Sequence, residues 1–400
     1  MDIKKNEDSE SNELKVVACL GETFVSYNDK FYSMPSNASF LQAAYGAENV
    51  KIISPSISVS NVEINIENMS SSVDQSKFYS APVPAPCSTK DFYKTSIINP
   101  FFYIRFIKFC DKVIKENPEA VFWARTPSPI SIIFSFRVLK AKRKLMHHIC
   151  GDARHTWKDQ KYKGFDKVLA FLFSYVVKSQ TLVICKNKNS TNLTSGSLLY
   201  DFSRKVSPSS TFLFVDMMID SNSISNYSNN RRLLFIGRIV KDKGIFELLD
   251  ALAKRYEYSL VVVGDGPDLS EAISYAKYLN VIDRVEFVGL KKHEEIETFI
   301  LNCHAVLMLS KTNEGFPRVI MESWYFNKPV ISSEVGGVSA FVKHKVNSYV
   351  VRPGSMSDIV DALDYINVES QYAELVSGAT KMSSISSRKH WINVVRGLSK

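Results

Sequence analysis

From Leu233 onward, short apolar runs alternate with segments whose apolar residues recur every three or four positions, the rhythm of a parallel α/β sheet. LLFIG, LVVVG, VEFVG, AVLML and PVIS read as buried strands. IFELLDALAKRY places Phe246, Leu249 and Ala253 at helical spacing, and LSEAISYAKYL, HEEIETFILN and PRVIMESWYF supply further helices between strands. The last of these opens on Pro317, whose fixed φ suits a first helical turn. The first half repeats the alternation less regularly, with strands predicted at LKVVACL, NVKIIS, AVFWA, LMHHI and TLVIC. Between the halves, SNSISNYSNN is all polar but for one Ile and one Tyr and reads as a linker over 221–230. The pattern predicts two doubly wound α/β domains, 1–220 and 231–400, facing a cleft, with a last helix that packs back on the first domain.

Length agrees, since 400 residues exceed one ordinary core and suit two. A hydrophobic content of 45% with 23% charged residues sits at the globular average and favours neither a disordered chain nor a membrane-embedded one. The opening MDIKKNEDSESNELK has no apolar stretch, and the longest uncharged apolar run, VLAFLFSYVV from Val168, is about half a bilayer span. The expectation is a cytoplasmic protein with neither export signal nor spanning helix. Six cysteines without a CxxC pair or metal-ligand spacing predict reduced thiols, no disulfide and no metal site.

Charge sharpens the picture because it is uneven. Residues 101–210 carry 20 basic and 7 acidic side chains, a larger excess than the +9 of the whole chain. Such a patch predicts an anionic partner. FFYIRFIKFCDKVIK sets Arg105, Lys108, Lys112 and Lys115 on one face of a helix whose other faces are aromatic and aliphatic, a basic amphipathic pattern. Further cations follow at Lys140, Lys142, Arg143 and Lys144, then at Lys158, Lys161, Lys163 and Lys167. An anionic membrane surface is the partner this predicts, and nucleic acid is not, because no zinc-finger or RNP-like pattern accompanies the charge.

Candidate chemistry sits in three places. In FIGRIVKDKGI, Arg238 follows Gly237 at a strand end and Lys243 stands at the start of the next helix, so two cations and a helix N-terminus converge as a diphosphate requires. In KTNEGFPRVIMESW, Glu314 lies in the loop after AVLML and Glu322 in the following helix. A carboxylate accepts two hydrogen bonds from a vicinal diol, which suits Glu322 to ribose and Glu314 to a sugar. In KPVISSEVGG, paired glycines after a strand permit a close backbone turn.

Taken in order, GRxxxxKG, VVGDGPD, VEFVGL, NEGFPRVIMES and KPVISSEVGG resemble the donor domain of the retaining glycosyltransferases of family 4, of GT-B fold, most strongly over 233–354. The resemblance implies Arg238, Lys243 and Glu314 as catalytic residues. It implies a donor site of Gly237, Val288, Gly289, Leu290 (the base), Gly315, Phe316, Pro317 and Glu322, a UDP-, GDP- or ADP-sugar as donor, and no cofactor or metal. It further implies a glycan or lipid-linked glycan acceptor, transfer with retention, and a role in bacterial surface polysaccharide such as O-antigen, capsule or lipopolysaccharide, at the inner face of the plasma membrane. The sequence departs from the family at Ser339-Ala340, where Pro-Glu is common, and at Asn347-Ser348, where Asn-Gly is usual. GETFVSYNDKFYS replaces the family's glycine-rich acceptor loop. On the acceptor side His147, His148 and Asp152 are candidates, with His155 an alternative. Successive strand residues point to opposite faces, so one histidine at most can face the cleft, and a buried, hydrogen-bonded role suits either. Two other readings share the nucleotide site: a GT-B sugar-nucleotide epimerase or hydrolase, which needs no basic acceptor surface, and a non-catalytic carbohydrate-binding relative, which would not need all four donor residues.

Overall fold

The structure, a computed structural model, describes residues 14–33, 37–58, 69, 71–84, 92, 95–96, 98–154, 157, 162–219, 221, 230–312 and 314–400. The first half contains strands β1 (Val16–Cys19), β2 (Phe24–Tyr27), β3 (Lys30–Ser33), β4 (Val50–Ser54), β5 (Ser56–Ser58), β6 (Ser71–Asp74), β7 (Phe78–Ser80), β8 (Val121–Thr126), β9 (Leu145–Ile149), β10 (Ser190–Thr194) and β11 (Thr211–Leu213). Its helices are α1 (Asn37–Tyr45), α2 (Pro100–Glu116), α3 (Pro129–Lys140), α4 (Gly164–Lys186) and α5 (Ser197–Arg204). The second half has β12 (Arg232–Ile236), β13 (Ser259–Val263), β14 (Val285–Gly289), β15 (Ala305–Met308), β16 (Val330–Ser333) and β17 (Ser348–Val351). Between and after them run α6 (Ile245–Lys254), α7 (Leu269–Tyr278), α8 (His293–Leu301), α9 (Arg318–Tyr325), α10 (Met356–Asn367), α11 (Glu369–Met382) and α12 (Arg388–Ser399).

Each half is built on a parallel sheet. The first has seven strands in the order β11-β10-β9-β8-β1-β4-β7, and the second has six in the order β14-β13-β12-β15-β16-β17. In both, the order reverses beside the first strand of the half, and the carboxyl ends of the strands at that point form the crevice where ligands bind in open α/β sheets. The central strands are apolar on both faces, as helices on both sides demand; β1, β9, β15 and β16 are buried at every residue.

Two stretches differ from their sequence reading. TLVIC, expected as a strand, is the last turns of the 23-residue α4. Thr181, Ile184 and Cys185 are its buried residues there, a three-to-four spacing that a helix satisfies and a strand does not, and β10 follows at STNLT. GETFVSYNDKFYS contains the hairpin of β2 and β3, which joins β5 and β6 in a small separate sheet. Asn28 and Asp29 both take positive φ at its tip, the signature of the two-residue turn that matches strand twist. Most of the expected linker lies outside the described residues.

One apolar cluster runs through both halves, from Val16 and Trp123 to Phe316, Trp324 and Trp391. Trp391 of α12 touches Phe214 of the first half at 5.9 Å and Phe341 of the second at 6.2 Å between ring centroids. Burying such a ring is worth about 1.5–3 kcal/mol, so α12 acts as a strap across the junction. It also binds α1 directly: Tyr45 Oη and Ser399 Oγ are 2.6 Å apart, and Arg388 donates to the Ser39 carbonyl at 2.9 Å.

Candidate active site

On the second half, glycines end three adjacent strands. Gly237 N–H donates to Val263 O (3.0 Å) and Gly264 N–H to Gly289 O (2.9 Å), and a Cβ on Gly264 would overlap the Gly237 carbonyl. Backbone there approaches backbone more closely than any side chain permits. Beyond Gly237 the chain presents Arg238 to solvent, its guanidinium making no hydrogen bond or ion pair among the described residues, and then turns through 241–243 into α6. Gly244 makes that turn with φ +76°, where a Cβ would overlap Leu309. This loop is tied to the one after β15, since Lys311 N–H donates to Asp242 O at 2.7 Å and Lys311 Nζ pairs with Glu247 at 2.7 Å.

Lys243 Nζ is in direct contact with Glu314 Oε1. The two residues read separately from the sequence, as a phosphate cation and a sugar carboxylate, therefore meet at one spot beside the N-terminus of α6. Glu322 is almost completely buried in α9, 3.9 Å from His293 Nε2, and that nitrogen is buried with no hydrogen-bond partner. Gly289 takes φ +72° with open space where a Cβ would stand, and Leu290 beside it is exposed, so the Val288–Leu290 edge leaves room for a flat group. Phe316 is buried against Phe341 and Trp324, a core ring whose donor-side contribution is limited to backbone. Pro317 caps α9, whose first helical residue is Arg318, one position later than the sequence reading. Arg318 has a buried Nη1 without a partner. A cation in a first helical turn opposes the helix dipole, and an anion near it would relieve both conditions.

The loop from Glu314 to Pro317 also meets the first half. Gly337 N–H donates to the carbonyls of Glu314 and Gly315 at 3.0 Å each, and Ser197 N–H donates to Gly337 O at 3.2 Å. Ser197 and Ser339 hydroxyls are 2.8 Å apart, so the serine found where the family has proline makes a contact across the cleft.

The acceptor-side candidates take different places. His147 and His148 are fully buried, which removes both from the cleft surface. His147 bonds Thr126 Oγ1 (3.0 Å) and Asn192 Oδ1 (3.1 Å); His148 bonds Ser195 Oγ (3.1 Å) and packs edge-on to Phe214. Asp152 is engaged by Arg154 through its backbone N–H (3.0 Å) and guanidinium (2.6 and 2.7 Å), so it shapes its own loop. His155, Lys158 and Lys161 lie outside the described residues. The charged groups at the carboxyl ends of the first sheet are instead Glu22, Arg125 and Asp216. Burial works against the Arg125 charge, yet Cys150, Asp216 and Glu22 around it outweigh that and raise its pKa. No local motif joins these three, which lie about a hundred residues apart in the chain. Their common position, Arg125 near the carboxyl end of β8 and Glu22 and Asp216 just beyond β1 and β11, is the one signal available, and only once the strands are aligned.

Burial pushes the pKa of His147 down to about 4 and of His148 to about 3. An unfolded histidine takes up its proton near pH 6.5, at about its ordinary value. Between that pH and the folded values the unfolded chain binds more protons, so stability falls as pH falls, by up to about 1.4 kcal/mol per pH unit for each ring. Thermal melts between pH 7.5 and 5 are expected to show this decline, and a folded His147→Gln variant a shallower one. An unchanged slope in that variant would mean the ring is charged in the fold.

Two cations, a carboxylate touching one of them and a buried carboxylate beside a histidine suit a polyhydroxylated anion. Among the described residues no cluster of His, Cys, Asp or Glu could hold a metal ion.

The matches to known families and to curated relatives bear on the second half. Residues 218–381 match the family of glycosyl transferases group 1. The chain is 28% identical over 136 residues to the lipopolysaccharide 1,6-galactosyltransferase of Escherichia coli, covering 33% of this chain and 38% of that protein. It is 28% identical over 177 residues to the lipopolysaccharide 1,2-N-acetylglucosaminetransferase of Salmonella typhimurium, covering 41% and 46%. The aligned parts thus span less than half the length of these relatives. Among solved structures, HepE of Anabaena in complex with UDP superposes with a TM-score of 0.67 at 16% identity, covering 96% of this chain and 100% of that one. The apo form of the lipopolysaccharide outer core galactosyltransferase WaaB superposes with a TM-score of 0.63 at 16% identity, covering 96% and 99%. At such identity the likeness concerns the fold: it is GT-B, two Rossmann-like halves facing a cleft.

Proposed function

We propose that the chain is a retaining glycosyltransferase that moves a sugar from a nucleoside-diphosphate sugar to a glycan or lipid-linked glycan acceptor during assembly of a bacterial surface polysaccharide. The observation that carries this reading is the Lys243–Glu314 contact beside the start of α6, with Arg238 exposed five residues before Lys243 in the chain. The group 1 match over 218–381 and the fold shared with a UDP-bound structure support it.

In this reading Arg238, Lys243 and the N–H groups opening α6 receive the diphosphate, with Arg318 at the start of α9 a further cation. The backbone from Val288 to Leu290 receives the base, Glu322 the ribose hydroxyls and Glu314 the transferred sugar. As the bond from the anomeric carbon to the phosphate oxygen breaks, negative charge grows on the leaving diphosphate, where fixed cations lower the barrier. That oxygen takes the proton of the acceptor hydroxyl, whose oxygen bonds the anomeric carbon on the face the phosphate left, so configuration is kept. The cations and helix terminus carry the charge that a metal ion carries in other transferases, and the reading expects metal-independent turnover. Work on a lipid-linked acceptor places the enzyme at the cytoplasmic face of the membrane.

Calorimetry with UDP, GDP and ADP identifies the base, and paired variants then test the roles. Glu322→Ala is expected to weaken nucleotide binding about tenfold, whereas Glu314→Ala leaves it unchanged and lowers turnover by about the same factor. No binding of any nucleotide at millimolar concentration, or equal affinity losses in both variants, would remove the assignment. Release of free sugar at the full rate without acceptor would instead identify a hydrolase.

A further inference from the structure

Helix α4 is built inside out. Its buried residues are Ser174, Val177, Thr181, Ile184 and Cys185, a narrow stripe that includes two hydroxyls, each satisfied on its own helix. The opposite stripe is exposed and apolar: Phe165 (74% exposed), Val168, Leu172, Tyr175, Val176 and Val183. Phe165, Val168, Leu172 and Tyr175/Val176 recur at spacings of three and four, and Val183 stands seven residues after Val176, so they lie along one side of the helix. Over its most apolar stretch only 28% of the helix is buried. The run read from the sequence as half a bilayer span therefore belongs to a helix of 23 residues, about 35 Å, long enough to cross a membrane. It does not need to cross, because Val177 and Ile184 belong to the core of the first half.

A second element continues the face. On α2, Phe102 and Phe106 turn into the core while Phe101 and Ile104 are exposed, together with Arg105, Lys108 and Lys112. Helices α2, α3 and α4 pack side by side over one sheet face, with α3 between. As crossovers between parallel strands they run back along the sheet, so the N-terminal turns of α2 and α4 lie toward the carboxyl ends of the strands. Phe101, Ile104, Phe165 and Val168 thus gather at the end of the layer nearest the cleft.

We propose that this layer is a membrane-seating surface, in which α4 lies in the headgroup plane of an anionic leaflet with its outer face in the acyl boundary, joined by the first turns of α2. Charge selects the occupant. The segment from 101 to 210 holds 20 cations against 7 acids, and exposed Lys163 caps the start of α4 while exposed Lys167 and Lys178 sit on it, its one acid being Asp166. A second copy would bring like charge to like charge, while anionic lipid neutralises the cations and accepts the apolar face together. The surface is separate from the donor loops, so lipid binding and nucleotide binding are read independently.

The test uses the full chain and Trp157, whose ring packs edge-on to Phe171 of α4 at 5.2 Å. The other three tryptophans, Trp123, Trp324 and Trp391, are buried. With vesicles of phosphatidylglycerol and phosphatidylcholine at low salt, flotation is expected, with quenching of tryptophan emission by acyl-brominated lipid. Both should weaken in high salt and be absent with phosphatidylcholine alone. Leu172→Ser/Val176→Ser should lower partitioning about tenfold while leaving nucleotide affinity unchanged. Lys163→Ser/Lys167→Ser should flatten the salt dependence. Three outcomes would overturn the proposal: no flotation with anionic vesicles, binding indifferent to both variants, or a lipid-free dimer that the Leu172→Ser/Val176→Ser variant dissociates.

Discussion

Arg238→Ala and Lys243→Ala are each expected to lower glycosyl transfer by about tenfold or more without a change in melting temperature, since removing one donor aimed at developing charge costs on the order of 100-fold in comparable sites. Arg238 is the cleaner of the two. It is exposed and its guanidinium has no partner among the described residues, so its loss removes nothing from the fold and any loss of turnover reports a role toward the substrate. Lys243 is paired with Glu314, at side-chain exposures of 31% and 21%. A pair that open to solvent contributes about 0–1 kcal/mol to stability, so this variant should also remain folded. The double variant Lys243→Ala/Glu314→Ala separates two explanations. If Lys243 acts only through Glu314, the double variant loses no more turnover than Glu314→Ala alone; if Lys243 meets the leaving phosphate, the two losses multiply. Wild-type turnover in both single variants would eliminate the site.

Much of the second half was legible because its strands announce themselves twice. LLFIG and LVVVG are buried apolar runs and VEFVG is the half-buried edge strand beside them, and each ends on a glycine that the structure uses for close backbone approach or for a turn. What spacing could not supply was contact. Lys243 and Glu314 lie 71 residues apart in the chain and were read as two functions in one site, yet they touch. His293 beside Glu322 had no signal at all, because a histidine at a helix start is common and its partner is defined only by how α8 packs.

The first half was harder for a physical reason. Its α4 carries apolar residues on the face away from the core, so the periodicity that normally marks a buried stripe pointed outward and TLVIC read as a strand. On β9 the alternation was right and its consequence incomplete. Two adjacent histidines do face opposite sides, but both are buried, His147 against Thr126 and Asn192 and His148 against Ser195 and Phe214. Glu22, Arg125 and Asp216 converge only because β1, β8 and β11 are parallel strands of one sheet with their carboxyl ends together.

Gly337→Ala is expected to cost about tenfold or more in turnover and about 1–3 kcal/mol in stability, although an alanine fits its backbone. Gly337 has φ −89° and ψ 6°, open to any residue, so the argument is wholly steric and crosses the cleft. A Cβ there would lie 2.5 Å from Gly196 Cα and 2.6 Å from Gly315 O. Neither neighbour is a flexible side-chain end. Gly196 opens α5 of the first half, and Gly315 is wedged between that half's Cys150 and Ser195 carbonyls, each about 3.0–3.1 Å from where its own Cβ would be. The added methyl must therefore either push the halves apart or displace the loop that holds Glu314, and a shift of about 1 Å in a group positioned for reaction is enough for a loss of this size. Gly397→Ala is the matched control, because nothing lies within 4 Å of its Cβ position on the outer face of α12. It should leave turnover unchanged and, as glycine to alanine within a helix, stabilise the chain slightly. Full activity in Gly337→Ala, with Gly397→Ala behaving as stated, would show that the close crossing of the two halves is dispensable for transfer.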